Sequence, residues 1–156
     1  MSQQGLWIVC AVLVIVGFGG AWLKRNNGKF KESEATEQGD ELVLTEAELG
    51  QPLGSSLTVV QFSSTFCQPC ISTKRVIAFV LDKVTVPGIE SVEINAEENL
   101  DLTRDLSIMR TPTVLLVNPD GKVVSRASGE LRPQQFVGAL GQALGFDGAS
   151  VDVSIR

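Results

Sequence analysis

The most informative segment of the chain is residues 65–70, with the sequence Thr65-Phe66-Cys67-Gln68-Pro69-Cys70. It contains a Cys-x-x-Cys pair between two segments with different hydrophobic patterns. Residues 57–62 before it are rich in β-branched and aromatic side chains, which predicts a buried strand. Residues 71–83 after it carry apolar side chains at helical spacing. The cysteine pair is therefore predicted to lie where a strand ends and a helix begins.

This position favours a reactive sulfur at Cys67. Pro69 falls in the first turn of the predicted helix, where its missing N–H costs nothing. The free backbone N–H groups and the positive end of the helix dipole favour a thiolate at Cys67 over a thiol. A thiolate is the form that attacks disulfides, so the segment indicates a redox site. The alternative is a pair of buried thiols that pack as small hydrophobic groups.

Composition excludes several functions. The chain has 156 residues, enough for one domain with a core and some additional segments. Its net charge of −5 argues against a nucleic-acid partner, because phosphate contacts need clustered Lys and Arg. The sequence contains no histidine. A Cys-His or Ser-His catalytic couple, His-ligated zinc and a Cys-x-x-Cys-His haem attachment are therefore excluded.

The three cysteines are too few for a disulfide-stapled scaffold. Cys67 and Cys70 form the motif, and a single Cys-x-x-Cys cannot supply the four ligands of a structural zinc site. We therefore expect no metal. Cys10 lies far away in an apolar segment, where it is expected to be a small lipid-facing residue. Palmitoylation of Cys10 or a disulfide-linked dimer are the alternatives.

Residues 6–23 form an uncharged apolar segment that follows a five-residue N-terminal tail, residues 1–5. At ~1.5 Å per residue the segment would cover about 27 Å, close to the ~30 Å hydrocarbon core of a bilayer. Trp7 and Trp22 stand near its two ends, as is typical of membrane interfaces. A cleaved signal peptide would need a basic start and a clear cleavage site, and both are missing. We predict a retained, single-span transmembrane helix.

The charges that flank this segment indicate its orientation. Four basic residues follow it, whereas only the α-amino group precedes it; they are Lys24, Arg25, Lys29 and Lys31. The positive-inside rule then places the C-terminal domain in the cytoplasm. An outward-facing domain is the alternative.

Residues 24–41 are predicted to be a flexible acidic linker. Residues 32–50 carry seven acidic side chains and no basic one, and the first half of that range has few apolar residues. A specific acidic docking surface is the alternative to a solvated linker.

Residues 42–146 have the pattern of a globular domain, and residues 147–156 are predicted to be a disordered tail. The predicted elements are a strand at 42–44, a short helix opened by the Thr45–Glu48 capping box and ended by Gly50, a strand at 57–62, a helix to Lys83, a strand at 89–95, a helix at 97–106, a hairpin of 113–117 with 122–127, and a helix from Pro133 to Gly145. Helix-linked strands followed by a hairpin indicate a mixed sheet covered on both faces.

From about residue 57 to residue 145 the sequence resembles the thioredoxin family. The resemblance is carried by Val59-Val60-Gln61-Phe62, the Phe66-Cys67-Gln68-Pro69-Cys70 motif, Glu93-Ile94-Asn95, Thr111-Pro112-Thr113, the Asn118-Pro119-Asp120-Gly121 turn and Gly129. With the predicted anchor, the chain is similar to the membrane-tethered thioredoxin-like proteins of bacteria. The resemblance implies a thioredoxin-like α/β fold, with a central mixed β-sheet flanked by helices, preceded by one transmembrane helix.

The resemblance also implies roles for individual residues. Cys67 matches the attacking cysteine and Cys70 the resolving one, so the two form a redox-active disulfide. Pro112 matches the family's cis-proline, and Thr111 before it offers its backbone to an extended substrate. The expected substrate-binding residues are Phe66, Gln68, Pro69, Thr111, Pro112, Ser128 and Gly129. Phe66 stands where the family usually has Trp, and Ser128-Gly129 matches the small loop beside the active site.

Two departures from the family pattern change the expected chemistry. Gln61 and Ser91 occupy the positions of a buried Asp and its Lys partner. Since Gln61 cannot take a proton from Cys70, we expect slow resolution and a long-lived mixed disulfide. Gln68-Pro69 replaces the usual Gly-Pro, and this dipeptide tunes thiol acidity and redox potential. The sequence therefore assigns neither an oxidising nor a reducing role.

The resemblance implies a membrane-tethered thiol–disulfide oxidoreductase that acts on protein disulfides. A thiol reductant or a reductase would be its electron source, and no dissociable cofactor is needed because both cysteines act through sulfur alone. One alternative is a redox-sensing or partner-binding module with little turnover. Another is an outward-facing oxidoreductase for cytochrome maturation or secreted disulfides, and a persulfide carried on Cys67 is also chemically open.

Overall fold

The computed structural model describes residues 7, 13, 30–32 and 43–146. Its helices and strands follow one another as β1 (Phe30–Glu32), α1 (Glu46–Leu49), β2 (Leu57–Ser63), α2 (Gln68–Lys83), β3 (Ile89–Asn95), α3 (Leu100–Asp105), β4 (Thr113–Val117), β5 (Val123–Ser128) and α4 (Pro133–Ala143). From α1 onward, the helices and strands follow one another in the order that the sequence pattern predicts.

The strands form one mixed sheet in the order β1-β5-β4-β2-β3. Strand β2 pairs with β3 in parallel, and the other pairings are antiparallel. All seven residues of β2 are buried, because the strand has a neighbour on each side and helices over both faces. Its carboxyl end therefore delivers the chain to the middle of one end of the sheet, where Cys67 follows.

Each face of the sheet has its own hydrophobic core, because successive side chains of a strand point to opposite faces. Helices α2 and α4 cover one face, in a core that includes Leu57, Val59, Ile77, Val80, Val114, Phe136 and Leu140. Helices α1 and α3 lie on the side of the other core, which includes Leu49, Val60, Phe62, Leu102, Leu106, Leu115 and Val117. The predicted mixed sheet with helices on both faces is confirmed.

The first predicted strand, at 42–44, is wrong. Within the described residues, Val43 makes only an isolated bridge to Lys122, and the buried Leu44 donates its N–H to the Gly121 carbonyl at 2.7 Å. The edge of the sheet beside β5 is instead occupied by β1, with Phe30 opposite Ala127. The short apolar segment at 42–44 was therefore mistaken for a strand of the sheet.

Strand β1 lies inside residues 24–41, which were predicted to be a flexible linker. For residues 30–32 that prediction is corrected, because they pair with β5 in antiparallel register. The other residues of that range lie outside the described part of the chain. Phe30 is the end of β1 that pairs next to Ser128, so the chain enters the sheet at the end from which Cys67 follows.

Helix α3 begins at Leu100 rather than at the predicted Glu97. Asn95 forms a turn before it, because its side-chain oxygen accepts a hydrogen bond from the Glu97 N–H at 3.0 Å. Its backbone carbonyl also accepts the N–H groups of Glu98 and Asn99. Local side-chain bonds of this kind compete with helix formation.

The predicted transmembrane helix at residues 6–23 lies outside the described residues, except for Trp7 and Leu13, whose side chains are exposed. Among the residues that the structure describes, none belongs to a helix long and apolar enough to span a bilayer. The N-terminal tail at 1–5 and the tail at 147–156 also lie outside the described residues.

Candidate active site

Cys67 caps the N-terminus of α2, and it is joined to Cys70 by a disulfide with a Cα–Cα distance of 5.2 Å. Pro69 lies in the first turn of the helix, as predicted. The two sulfurs differ in access: Cys67 is partly exposed, whereas Cys70 is only 2% exposed. A partner thiol or disulfide can therefore reach Cys67 first.

The backbone directs a hydrogen-bond donor at the Cys67 sulfur. The N–H of Cys70 donates to Cys67 Sγ at 3.1 Å. The same N–H and that of Ile71 also donate to the Cys67 carbonyl. Donors and a helix N-terminus stabilise negative charge on sulfur, and this is the environment that the sequence predicts for an attacking cysteine.

Gln61 lies directly beneath the pair. Its side chain is 3% exposed, and its Nε2 donates to the Cys70 carbonyl at 3.0 Å. The amide thus holds the first turn of α2 to strand β2. Because the Gln61 side chain is a neutral amide and not a carboxylate, it cannot accept a proton from Cys70.

An ion pair joins helix α2 to strand β3, the strand beside β2. Glu93 is the register partner of Gln61 on β3, and its carboxylate accepts a hydrogen bond from Lys74 Nζ at 2.7 Å. This bond, aided by a weaker one from Ser63 and by the Lys74 charge, lowers the pKa of Glu93, although partial burial opposes the shift. Ser91 lies two residues earlier on the same edge strand and is exposed. Sequence reasoning missed the pair of Glu93 and Lys74, since only the strand register brings these residues together.

The Thr111–Pro112 peptide bond is cis, which confirms the expectation drawn from the resemblance. The hydroxyls of Thr111 and Ser64 lie 3.0 Å apart, which connects this loop to the segment between β2 and Cys67. The Pro112 carbonyl accepts the N–H of Gly129 at 2.8 Å. Gly129 has φ +96°, a conformation that favours glycine at this turn.

Hydrogen bonds also fix the end of β5 against the start of β4. Thr113 Oγ1 donates to the Arg110 carbonyl at 2.8 Å and lies 3.1 Å from the Ser128 hydroxyl. Because the Thr113 proton is committed to Arg110, the Ser128 hydroxyl is the donor of the second bond. Arg110 Nη2 in turn donates to the Ser128 carbonyl at 3.2 Å. Arg110 was not singled out from the sequence, where nothing in its local pattern distinguishes it.

Three exposed apolar side chains belong to the segments around Cys67 and before Pro112. Phe66 is 98% exposed, Met109 92% and Ile71 46%. Gln68 and Pro69, in the first turn of α2, are exposed as well. Of the other predicted substrate-binding residues, Pro112 and Gly129 are bonded to each other, Thr111 is bonded to Ser64, and Ser128 is bonded to Thr113 and Arg110. Phe66 is not packed against the described chain. Among residues 7, 13, 30–32 and 43–146, no group of three or more His, Cys, Asp or Glu could hold a metal ion.

The fold and the cysteine pair define a class of protein. An α/β domain with a Cys-x-x-Cys disulfide at the start of the helix that follows a central strand is a thioredoxin-like arrangement, and it is consistent with a thiol–disulfide oxidoreductase. A family model for the thioredoxin-like domain matches residues 51–144. The chain therefore belongs to the thioredoxin-like family.

Solved structures of thioredoxins have the same fold. Chloroplastic thioredoxin z is 24% identical, with a TM-score of 0.53, and the match covers 77% of this chain and 96% of that one. Thioredoxin from Malassezia sympodialis is 18% identical, with a TM-score of 0.52 over 64% of this chain and 82% of that one. A mutant thioredoxin from Halobacterium salinarum is 18% identical, with a TM-score of 0.52 over 58% of this chain and 76% of that one. At these identities the likeness shows the fold alone.

Proposed function

We propose that the protein is a membrane-tethered thiol–disulfide oxidoreductase that exchanges disulfides with protein substrates through Cys67 and Cys70. The observation that carries the proposal is the accessible sulfur of Cys67 at the start of α2, bonded to the buried sulfur of Cys70. This asymmetry supports attack by Cys67 and resolution by Cys70.

The exchange proceeds in two displacement steps. In the reduced protein, the Cys67 thiolate attacks a partner disulfide, forms a mixed disulfide and releases one partner sulfur as a thiolate. Cys70 then loses its proton to solvent and attacks the Cys67 sulfur, which releases the second partner sulfur. Two electrons pass to the partner, and the Cys67–Cys70 disulfide remains. A thiol reductant or a reductase returns two electrons, and the same steps in reverse would oxidise a dithiol partner.

The substrate segment is proposed to lie across the loops beside Cys67. Thr111 would offer its backbone to an extended segment next to Pro112, with Ser128 and Gly129 on the other side. The hydrogen bonds that fix these loops support this role, because a rigid site loses less entropy on binding. Phe66, Gln68 and Pro69 would form the exposed rim, and the 98% exposure of Phe66 supports this contact.

A second candidate function is a redox sensor that turns over slowly. Gln61 favours it, because a neutral amide beneath Cys70 provides no proton acceptor for the resolving step. A mixed disulfide that persists would hold a partner on the domain and report the redox state rather than process many substrates.

The membrane attachment is also a proposal. Residues 6–23 would form the single span, in a bacterial cell membrane, with the thioredoxin-like domain in the cytoplasm. The apolar segment and the four basic residues after it support this placement. An outward-facing domain would share the chemistry and differ in its partners.

Partner trapping tests the proposed roles of the cysteines. We expect Cys70→Ser to accumulate covalent mixed disulfides with a model protein disulfide such as insulin, because the resolving thiol is gone, and Cys67→Ser to accumulate none. Non-reducing gels and mass spectrometry would measure the adducts. Equal trapping by both variants would contradict the assignment. With a regenerating reductant, steady insulin reduction by the unmodified chain supports the enzyme, whereas one stoichiometric reaction supports the sensor.

A further inference from the structure

Arg110 is a cation beside the proposed substrate segment. It precedes Thr111 and the cis-proline, and its side chain is exposed. Its guanidinium reaches across to the last residue of β5, where Nη2 donates to the Ser128 carbonyl at 3.2 Å. The guanidinium therefore lies between the loop of Thr111 and Pro112 and the turn of Ser128 and Gly129, rather than extending freely into solvent.

The backbone beneath Arg110 is held in place. Its carbonyl accepts the Thr113 hydroxyl at 2.8 Å, and Thr113 is in turn bonded to the Ser128 hydroxyl. One turn further, Gly129 donates to the Pro112 carbonyl. These contacts position the guanidinium before a substrate arrives, so little ordering cost remains to be met on binding.

Most of the donors of Arg110 have no partner among the described residues. A guanidinium has five N–H groups, and one of them is used on the Ser128 carbonyl. In the part of the chain that the structure describes, the ion pairs are Lys74–Glu93 and Arg104–Asp101, and neither involves Arg110. A planar fork of donors without a carboxylate partner in this part of the chain suits a carboxylate supplied by a substrate.

Exposed apolar side chains flank Arg110 and Cys67 in the sequence. Met109, the preceding residue, is 92% exposed, and Phe66 next to Cys67 is 98% exposed. A peptide with an acidic side chain near apolar ones would match this combination of a cation and two free hydrophobic side chains.

We propose that Arg110 is a specificity-determining residue that favours protein disulfides with an Asp or Glu close in sequence to the attacked cysteine. This inference rests on the proposed function, because it names the substrate class of the same site. The acidic side chain would accept hydrogen bonds from the free donors of Arg110 while the adjacent disulfide lies against Cys67. Arg110 acts by binding and takes no part in the electron transfer.

The test compares two disulfide-linked peptide dimers that are identical except for Glu or Lys two residues from the cysteine. The full-length reduced chain carries Cys70→Ser, so that the rate of mixed-disulfide formation at Cys67 is measured without turnover. We expect the Glu peptide to react about fivefold faster, the preference of an exposed ion pair, and this ratio to shrink with added salt. Arg110→Gln should remove the preference, Arg110→Glu should reverse it, and Arg110→Lys should keep most of it.

Lys83→Glu is the matched control, because it makes the same change in net charge. Lys83 lies in the last turn of α2, about 20 Å along the helix from Cys70 at ~1.5 Å per residue. The Lys83→Glu variant should prefer the Glu peptide over the Lys peptide by the same ratio as the parent chain. Equal rates with the two peptides, or a preference that survives Arg110→Glu, would overturn the inference and leave the proposed function standing. If neither peptide formed a mixed disulfide, both would fail.

Discussion

Gln61 places a neutral amide, and no proton acceptor, beneath the resolving cysteine. Its amide is buried and donates to the Cys70 carbonyl, so it holds the helix turn that carries the sulfur. The nearest carboxylate on the register of β2 and β3 belongs to Glu93, and it is occupied by Lys74. The pKa of Glu93 is lowered by that bond, which makes Glu93 a poor proton acceptor.

Replacing Gln61 by Asp should therefore speed up resolution of the mixed disulfide. A carboxylate next to Cys70 could accept its proton, and a positioned general base contributes on the order of 10² or more in rate, of which we expect at least tenfold here. A preformed mixed disulfide would be left to resolve at pH 8, and samples quenched with acid at increasing times would give the rate of resolution. Ser91→Asp, which places the same charge on the exposed edge strand, is the control and should have no effect. An unchanged rate in Gln61→Asp would refute the idea.

The sequence was most informative about single residues whose neighbours are close along the chain. Cys67 and Pro69 were placed at the start of a helix from local pattern alone, and the resemblance predicted the cis bond before Pro112. Arg110 and the pair of Glu93 and Lys74 were missed. Their contacts depend on strand register and on the approach of two loops, which no local pattern encodes.

At the scale of elements, helix α2 is tied to the segment before α4. Thr73 is fully buried on α2, and its Oγ1 accepts the Leu131 N–H at 3.3 Å. Leu131 is itself buried and lies two residues before Pro133, where α4 begins. One hydroxyl thus connects the helix that carries the cysteines to the segment that follows Gly129.

Thr73→Val should destabilise the domain by about 1–3 kcal/mol. Valine keeps the shape of the side chain but leaves the buried Leu131 N–H without this acceptor, and an unsatisfied buried donor costs about that much. Urea denaturation would measure the free energy of unfolding. The matched control is Thr85→Val in the exposed loop after α2, which should change stability by less than about 0.5 kcal/mol. Equal effects of the two variants would contradict the assigned role of Thr73.

Strongly patterned elements were predicted well, and so was the short helix α1 between the Thr45–Glu48 capping box and Gly50, whereas the first strand was not. β2, β3, β4 and α4 start within one residue of their predicted positions, because their apolar patterns are long enough to distinguish strand from helix. Residues 42–44 were predicted to be a strand and residues 30–32 part of a linker, because a three-residue segment is too short for its pattern to identify a strand. The pairing of β1 with β5, which begins more than 90 residues beyond β1, decides which segment joins the sheet.

At the scale of the whole molecule, the proposed anchor has a direct test. Full-length chain should stay in the membrane fraction after an alkaline carbonate wash, and a chain lacking residues 6–23 should be recovered in the supernatant, because the apolar segment is removed. External protease should leave the domain intact in sealed cells and degrade it after permeabilisation. Degradation in sealed cells would contradict the cytoplasmic placement, and extraction of the full-length chain by carbonate would contradict the span.

The pairing of β1 with β5 limits how far the domain could travel from a bilayer. If residues 6–23 span the membrane, only residues 24–29 separate the span from the docked strand, and six residues reach at most about 22 Å. Phe30 pairs with Ala127, next to Ser128, so the connecting segment joins the sheet at the same end as Cys67. Cys67 would then stay close to the lipid headgroups, and protein disulfides near the membrane surface would be the substrates within its reach.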